Sequence, residues 1–403
     1  MITIYLYNNN LMKATIFIIF IGFFTLISCK NQKQQKTTIT VTNNLNLSRT
    51  FETVEIPVKT IKKNMNFKHF SITDDKGVNQ ISQEVDTNND GEIDFLLFQP
   101  QLKPKETKKY FISQDSIKIN TDKKNPICYS RFVPERIDDY AWENDRVAFR
   151  VYGPVAQKMI ENGDPNGTLS SGVDCWLKRV KYPIINKWYK KYADKTGTYH
   201  KDTGEGLDNY HVGKSRGCGG IAVKTDSTYA VSKNFIKYKT ITTGPIRTQF
   251  NLEYANWNAN GKLIKESRII TLDKGSNLSK FEISLSGTDT ISIGLTLHKN
   301  DGKISKNKKN GWISYWENLD DSELGTGIVI DANKIIGFNT YISKKNDDVK
   351  NQFMQVKIKN KKLMYYTGFG WKKSNQFSSN KEWNNYLDEF SKRISSPLVL
   401  TII

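Results

Sequence analysis

The sequence predicts an all-β protein built mainly from antiparallel sheets. Residues 246–254 alternate apolar with polar side chains, the period of two expected of a strand with one buried face. Residues 268–272 and 280–285 follow as two more strands, and Asp273-Lys274-Gly275 between them has the composition of a hairpin turn. Helical patterning is sparse, with candidates only at 175–194 and 380–393. A large antiparallel sheet is therefore expected in the second half of the chain.

The first residues of the chain predict export. Lys13 precedes the uncharged apolar run ATIFIIFIGFFTLI. That run is short for a membrane span, which needs roughly 20 apolar residues. A basic residue, a short apolar core and a small residue are typical of a secretory signal, which we assign to residues 1–28.

Leu26-Ile27-Ser28-Cys29 resembles the lipobox of bacterial lipoproteins, so we expect Cys29 to carry a lipid anchor. The alternative is an ordinary cleaved signal with an incidental cysteine. Residues 29–37 form a polar tether without the acidic run of surface-exported lipoproteins. This favours an outer-membrane lipoprotein of the cell envelope that faces the periplasm.

Two β-rich stretches follow the tether. Residues 38–58 are rich in β-branched side chains, and residues 95–113 look like two strands joined by a turn of Pro and Lys. They predict an N-terminal β-sandwich at 38–117 and a larger second domain at 118–403. DTNNDGEID at 86–94 imitates the start of a calcium loop, but Leu97 stands where the bidentate Glu is needed. A polar hairpin turn is the preferred interpretation, with calcium as the alternative.

The formal net charge of +19 favours an anionic partner. The lysines are dispersed and no recognition motif is present, so nucleic acid is excluded in favour of an acidic polysaccharide. General Lys and Asn enrichment of the proteome is the simpler alternative. Cys128, Cys175 and Cys218 remain besides the anchor. Their odd number and wide spacing favour structural thiols over a disulfide framework or a zinc site.

The middle of the chain gathers titratable residues on glycine-rich backbone. DDYAWENDRVAFRVYGP (138–154), GVDCWLKRVKYPIINKWY (172–189) and YHKDTGEGLDNYHVGKSRGCGG (199–220) follow one another. Together they resemble a family of secreted bacterial proteins encoded in polysaccharide-utilisation clusters, which includes oligosaccharide dehydratases of ulvan degradation. The resemblance covers most of the mature chain. It implies a second domain of the galactose-mutarotase type, a β-supersandwich.

The resemblance also implies a reaction. Such a dehydratase takes the C5 proton of the uronic acid at the non-reducing end and expels the C4 hydroxyl, which leaves a 4,5-unsaturated sugar. The chemistry needs a cation beside the carboxylate, a base for C5 and an acid for the departing oxygen. No cofactor is required.

Arg, His and Tyr side chains suit these three tasks, and the central segments supply them. The catalytic candidates are His200, His211, Tyr210 and Arg216, with His200 preferred as the base and Tyr210 as the acid. The candidates for contacts to an anionic, uronic-acid oligosaccharide are Arg136, Trp142, Arg146, Tyr199 and Glu205.

Four other interpretations stay open. A polysaccharide lyase would cleave the chain of an acidic oligosaccharide by β-elimination. A glycoside hydrolase would use paired carboxylates, Glu205 with Asp208 or Glu143. A carbohydrate-binding lipoprotein without activity would stack sugars on tryptophans, namely Trp142, Trp176, Trp257 and Trp312. A divalent ion could bind His200, Asp202, Glu205 and His211, although their spacing matches no zinc pattern, and we expect no metal.

Overall fold

The computed structural model describes residues 36–61, 69–114 and 126–403. In chain order, the strands are β1 (Lys36–Thr42), β2 (Val54–Pro57), β3 (Phe70–Asp74), β4 (Asn79–Gln80), β5 (Ser82–Val85), β6 (Phe95–Phe98), β7 (Thr107–Gln114), β8 (Tyr129–Val133), β9 (Asp139–Glu143), β10 (Ala148–Val151), β11 (Asp174–Lys178), β12 (Gly206–Leu207), β13 (Cys218–Lys224), β14 (Tyr229–Ala230), β15 (Phe235–Thr242), β16 (Arg247–Tyr254), β17 (Trp257–Ala259), β18 (Lys262–Asp273), β19 (Leu278–Ser286), β20 (Thr290–Thr296), β21 (Lys303–Asn307), β22 (Trp312–Leu319), β23 (Ser322–Val329), β24 (Ile335–Ile342), β25 (Lys350–Lys357), β26 (Lys362–Trp371) and β27 (Val399–Ile402). The helices are α1 (Val58–Ile61), α2 (Pro154–Glu161), α3 (Ile185–Ala193) and α4 (Asn380–Ser395), with 3-10 turns at Pro134–Arg136, Ala332–Lys334 and Lys372–Ser374. The all-β prediction is confirmed.

Two sheets form the N-terminal sandwich. One has the order β27-β1-β7-β3-β4 and the other β2-β6-β5. Alternate residues of both, such as Ile39, Ile72 and Ile56, are fully buried in a shared core. Strand β27 lies outside the predicted 38–117 range, yet it pairs antiparallel with β1, and Leu400 faces Val41. Ile117, the predicted boundary, lies outside the described residues, as do the signal 1–28, Cys29 and nearly all of the 29–37 tether.

The larger part of the chain is a stack of antiparallel sheets around one core, in agreement with the predicted supersandwich. Its central sheet has the order β15-β16-β18-β19-β26-β23-β22-β21, with β17 beside β18. The sheet β12-β11-β10-β9-β8 packs on it through aromatic side chains, such as Trp142 against Phe250. The sheet β14-β13-β20-β25-β24 joins the same core, and the Tyr365 hydroxyl donates to the Gly219 carbonyl at 2.7 Å.

The strand pattern read from 246–254 is confirmed in β16. Thr248, Phe250 and Leu252 are fully buried, whereas Gln249, Asn251 and Glu253 are half-buried or exposed. Strands β18 and β19 form the predicted hairpin. Gly275 in its turn has φ +80°, a left-handed conformation that favours glycine.

The helix predicted at 175–194 is wrong over its first part. Residues 174–178 are strand β11, a central strand with every residue buried, and only 185–193 are helical. Burial on both faces gives a nearly continuous apolar run, which periodicity alone does not distinguish from a helix. Helix α2 at 154–161 was not predicted.

Helix α4 confirms the second predicted helix. The Ser379 side chain accepts from the Glu382 backbone N–H and caps its first turn. Trp383 and Leu387 pack against three glycines of the central sheet, so α4 lies unusually close to β23. A Cβ at Gly325 would lie 2.7 Å from the Trp383 ring.

Residues 86–94 join the antiparallel strands β5 and β6 as a polar turn, as preferred from the sequence. The Asp86 carboxylate accepts the backbone N–H groups of Asn89 and Gly91 at 2.6 and 2.8 Å. Cys128, Cys175 and Cys218 are buried free thiols. Within the described ranges, no helix combines the length and apolar character of a membrane span.

Candidate functional site

A cleft of about 550 Å³ opens beside the histidine-rich segment. Its walls come from residues 208–214, the stretch after α2 and the end of β10. Gly213 at the rim has φ +50°, and a Cβ there would lie 2.0 Å from a carboxylate oxygen of Asp348. Glycine is therefore required where the segment approaches the 343–349 loop. Several titratable side chains line the cleft, among them Arg150, His200 and Asp208.

His200 stands at this cleft with its side chain 54% exposed. Its Nδ1 lies 2.8 Å from the backbone carbonyl oxygen of Asp208 and 3.6 Å from the Asp208 carboxylate. A carbonyl oxygen can only accept, so Nδ1 carries the proton in the neutral ring and Nε2 keeps its lone pair. Nε2 has no protein partner among the described residues. This is the arrangement that a general base needs.

Under His200 lies a buried cluster of charged groups. The Arg150 guanidinium donates from Nη2 to Asp174 Oδ2 at 2.5 Å and to Asp208 Oδ2 at 2.9 Å. Its Nη1 lies 3.6 Å from Asp139 Oδ2. Strands β9, β10 and β11 are adjacent in one sheet, which brings Asp139, Arg150 and Asp174 together. One guanidinium thus faces three carboxylates.

Burial, and after it the neighbouring carboxylates, raises the pKa values of these aspartates. Burial, followed by the Asp208 charge, raises the pKa of Asp174 to about 7, against the opposing effect of Arg150. Burial likewise raises the pKa of Asp139 to about 6, and it raises the pKa of Asp208. Asp174 Oδ1 and Asp139 Oδ1 are buried without a hydrogen-bond partner. The cluster therefore retains a proton near neutral pH.

Tyr152 adds a hydroxyl to the floor of the cleft. It donates to Asp174 Oδ2 at 3.3 Å, and its ring lies against the Arg150 guanidinium. Burial, then the Asp174 charge, raises the pKa of Tyr152 well above its usual value. The phenol is therefore protonated throughout the physiological range. It can serve as an acid only by transferring that proton within a bound complex.

His211 and Lys214 form the rim of the cleft. His211 is largely exposed, and its Nε2 lies 2.7 Å from Asp348 Oδ1. The Lys214 side chain is exposed and has no carboxylate within ion-pair distance among the described residues. An ammonium group at the mouth of a cleft attracts anions.

Tyr210 and Arg216 are buried, which corrects the expectation that they contact a substrate directly. The Tyr210 ring packs edge-to-face with His298, and its hydroxyl lies in the core without a hydrogen-bond partner. Arg216 donates to the Ser171 hydroxyl at 3.0 Å, and burial, followed by the Arg268 charge, lowers its pKa to about 10. Arg216 does not line the cleft, and Tyr210 lines it while being only 3% exposed.

Trp142, Arg146 and Glu205 also lie away from the cleft. The Trp142 indole is fully buried and donates to the Ser279 hydroxyl at 3.0 Å, so no sugar can stack on it. Arg146 donates to Asn277 Oδ1 at 2.5 Å, in the turn between β18 and β19. Glu205 accepts from Tyr182 and Lys187 at 2.6 Å each, which ties the 200–207 segment to α3.

Tyr199 and Arg136 are next to the cleft. The Tyr199 ring centroid is 4.5 Å from that of His200. The Arg136 Nε donates to the Tyr199 hydroxyl at 3.3 Å. Tyr199 is buried, which corrects the expectation that it contacts a substrate directly, whereas Arg136 is half-buried and remains a candidate.

The alternative sites fare differently. His200, Asp202, Glu205 and His211 pair with four separate partners, and the described ranges hold no group of three His, Cys, Asp or Glu fit to bind a metal ion. Glu143, a hydrolase candidate, is fully buried against Lys178. All four tryptophans considered as sugar platforms are buried: Trp142, Trp176, Trp257 and Trp312.

Sequence reasoning missed Arg150, Tyr152 and Asp174. They lie in FRVYG and GVDCW, which look like core strands. The available signal was the charge itself, because an Arg or Asp within a strand that is apolar on both faces has to be paired. Two such charges in neighbouring strands predict a buried ion pair.

The chain was compared with known proteins. Residues 41–400 match the model of a family described as a domain of unknown function, DUF4861. A protein of Formosa agariphila named uncharacterized protein P7 is 50% identical over 397 residues, which cover 97% of this chain and all of that protein.

Two solved structures resemble the fold, each with a TM-score of 0.50 and 9% identity over 91% of this chain. They are an alpha-mannosidase from Enterococcus faecalis V583 and a protein in glycosyl hydrolase family 38 from Enterococcus faecalis. This chain spans 46% and 47% of their lengths, about half. At such low identity the likeness concerns the fold alone.

Proposed function

The chain belongs to the DUF4861 family, a domain of unknown function, so its chemistry has to be argued from its own site, and we propose that it is an oligosaccharide dehydratase. Its substrate is the uronic acid at the non-reducing end of an ulvan-type oligosaccharide. The product is the 4,5-unsaturated uronyl sugar together with water. The protein acts as a lipid-anchored envelope protein, in accordance with the Cys29 motif.

The observation that supports this proposal most is the hydrogen bonding of His200. Its Nδ1 faces a carbonyl oxygen, and its free Nε2 lies at a ligand-sized cleft. Nε2 takes the C5 proton, and the Asp208 carboxylate 3.6 Å from Nδ1 stabilises the imidazolium that forms. No nucleophile is needed, and the cleft offers no cysteine.

The electrons of the C5–H bond form the C4–C5 double bond while the C4–O bond breaks. The departing oxygen takes a proton from the Tyr152 hydroxyl, and the Asp174 carboxylate next to that hydroxyl orients it. Lys214 neutralises the substrate carboxylate, whose charge grows as C5 loses its proton. Tyr152 thereby takes the role that the sequence suggested for Tyr210.

A combined product assay tests the proposal. The protein is incubated with uronic-acid oligosaccharides, and both the absorbance of the unsaturated product and the number of reducing ends are followed. Dehydration raises the absorbance and creates no new end. A rise in both quantities means a chain-cleaving lyase, and new ends without absorbance mean a hydrolase. Binding without either change means a carbohydrate-binding lipoprotein, and each of these three results contradicts the proposal.

A further inference from the structure

A row of side chains extends from His200 away from the cleft, through the buried Tyr199 to the more exposed Tyr192 and Arg136. It consists of Tyr199, Tyr192 and Arg136, which we call the Arg136 shelf. The ring centroids of His200 and Tyr199 are 4.5 Å apart, and those of Tyr199 and Tyr192 are 5.2 Å apart. Arg136 Cζ lies 5.6 Å from the Tyr192 ring centroid. The shelf is therefore continuous with the proposed base.

Arg136 has no close ion-pair partner among the described residues, although the more distant Asp139 interacts with its charge. Its Nε donates to the neutral Tyr199 hydroxyl, but no carboxylate lies within 4.0 Å of the guanidinium anywhere in the described residues. Nearby arginines differ. Arg131 pairs with Glu135, and Arg150 pairs with its aspartates. A half-buried guanidinium with free terminal N–H groups is suited to bind an anionic oxygen group in a bidentate manner.

The backbone holds Arg136 in place. It ends the 3-10 turn Pro134–Arg136, and Ile137 and Asp138 follow with φ of 46° and 67°. A β-branched residue in the left-handed region is strained and persists only where the surroundings impose it. Here the Ile137 carbonyl accepts the Ala156 N–H of α2 at 3.2 Å. The strained turn fixes the direction in which the guanidinium leaves the chain.

Tyr192 supplies an apolar surface beside this cation. It lies in the last turns of α3 and is 39% exposed, although its ring packs on Tyr199. An exposed tyrosine ring can pack against a sugar ring. A cation beside that tyrosine can bind a charged substituent of the same sugar. The buried tryptophans cannot do this, whereas the Tyr192 ring is exposed.

We propose that the Arg136 shelf is a second sugar subsite. It holds the residue that follows the reacting uronic acid, and Arg136 binds a carboxylate or sulfate ester on that residue while Tyr192 contacts its ring. The inference rests on the proposed function and adds a substrate class, oligosaccharides with an anionic second sugar. The enzyme then distinguishes its substrate by a charge outside the reacting ring.

The experiment compares substrates that share the terminal uronic acid. Three disaccharides carry a sulfate, a carboxylate or no charge on the second sugar. Arg136→Ala is expected to lower kcat/KM for the charged disaccharides by about tenfold more than for the neutral one, the scale of a charged hydrogen bond. The loss should fall on KM rather than kcat. The sulfate and carboxylate arms show which group is preferred.

Arg131→Ala is the matched control, since Arg131 lies in the strand just before the turn that holds Arg136 but is already paired with Glu135. It should leave the ratio between charged and neutral disaccharides unchanged. Arg136→Lys keeps the positive charge but lacks the planar guanidinium, so it should give an intermediate ratio of kcat/KM between charged and neutral disaccharides. This second variant keeps the proposal testable if the alanine variant misfolds. An equal loss on all three substrates, or no loss, overturns the subsite.

Direct binding separates this inference from the proposed function. Titration calorimetry measures the Kd of the same disaccharides for the wild type and for Arg136→Ala. If the wild type dehydrates none of them, the proposed function fails. The subsite then still stands if the variant weakens binding of the charged disaccharides alone, and it fails if binding is unaffected.

Discussion

At the scale of single residues, the four histidines differ in what their ring nitrogens face. His69, His211 and His298 each place a ring nitrogen within 3.4 Å of a carboxylate oxygen. His200 places Nδ1 at 2.8 Å from a carbonyl, and the nearest carboxylate oxygen is 3.6 Å away. His200 is thus the one of the four with a ring nitrogen held by a neutral acceptor and the other free.

Replacing His200 with Ala should lower kcat by roughly 10²-fold or more, because no other described group can take the C5 proton at the same position. The free energy of unfolding should change little, since the side chain is half exposed. Kinetics on the unsaturated product and urea unfolding measure the two effects. His69→Ala, in the N-terminal sandwich, is the control and should keep full activity. A His200→Ala protein with wild-type turnover refutes the assignment, and His211 then becomes the candidate base.

Asp174 links the stability of the fold to pH. Its pKa is about 7 in the folded protein, above its ordinary value of 3.8, so the folded state holds more protons between these values. The free energy of unfolding should therefore fall as pH rises from 5 to 7, by at most about 1.4 kcal/mol per pH unit for one proton. Asp174→Asn cannot take up that proton and should flatten the slope. Urea unfolding at several pH values gives both slopes, and equal slopes contradict the prediction.

The sequence analysis singled out two histidines that line the cleft but missed the residues of its floor. His200 and His211 were identified because they stand in a glycine-rich segment, where a loop carries function more often than a core does. Tyr210 was misplaced because neighbours in sequence, such as Tyr210 and His211, point to opposite sides of the chain. Which of two adjacent side chains is buried depends on long-range contacts of this segment, such as those of His211 with His298 and Asp348. No local pattern records these contacts.

At the scale of elements, the entry into α3 depends on a buried ion pair. Glu143 in β9 accepts the backbone N–H groups of Ile184 and Ile185 at 2.9 Å each, so it satisfies donors at the helix start. Lys178 in β11 donates to Glu143 at 2.6 Å and to the carbonyls of Asn144 and Tyr182. Two strands and a helix thus share one fully buried contact.

Lys178→Met should destabilise the protein by about 3–5 kcal/mol, because it leaves the Glu143 carboxylate buried without its counter-charge. Lys190→Met is the matched control. Lys190 pairs with Asp194 on the surface of α3, where an exposed pair contributes less than about 1 kcal/mol. Urea unfolding of both variants compares the two losses. Similar losses in the two proteins show that the buried pair is not what fixes α3.

The elements that could be predicted are those with one buried face. Strand β16 alternates over its whole length, so its period is visible in the sequence. Strand β11 lies between β10 and β12 with both faces covered, and its residues carry no period at all. The same difference explains why the sequence analysis missed Arg150 and Asp174, because both lie in fully buried strands.

At the scale of the whole molecule, residues far apart in sequence complete one sheet. Strand β27 extends the sheet of β1, and Leu400 and Ile402 pack on the core of the N-terminal sandwich. Ser396, just before β27, accepts from the Arg49 guanidinium through its backbone carbonyl at 3.0 Å. The sandwich is therefore not made by the first part of the chain alone.

Deleting residues 399–403 should loosen the N-terminal sandwich and spare the larger domain. Strand β1 loses its partner on one side, so its amides become exposed at a sheet edge. Hydrogen exchange followed by mass spectrometry should show faster exchange in 36–42 and unchanged protection in β16 and β18. Unchanged exchange in 36–42 would show that β27 adds nothing to the stability of that sheet.

The position of β27 also sets an order of events during synthesis. The ribosome makes β1 early and β27 after every other described strand, so the edge of β1 stays open while the rest of the chain is produced. An open edge pairs readily with strands of other molecules. A chain interrupted before residue 399 keeps that edge open and stays exposed to aggregation and degradation, whereas a chain extended through residue 402 covers it. Strand β27 thus covers the sheet edge that β1 would otherwise leave unpaired.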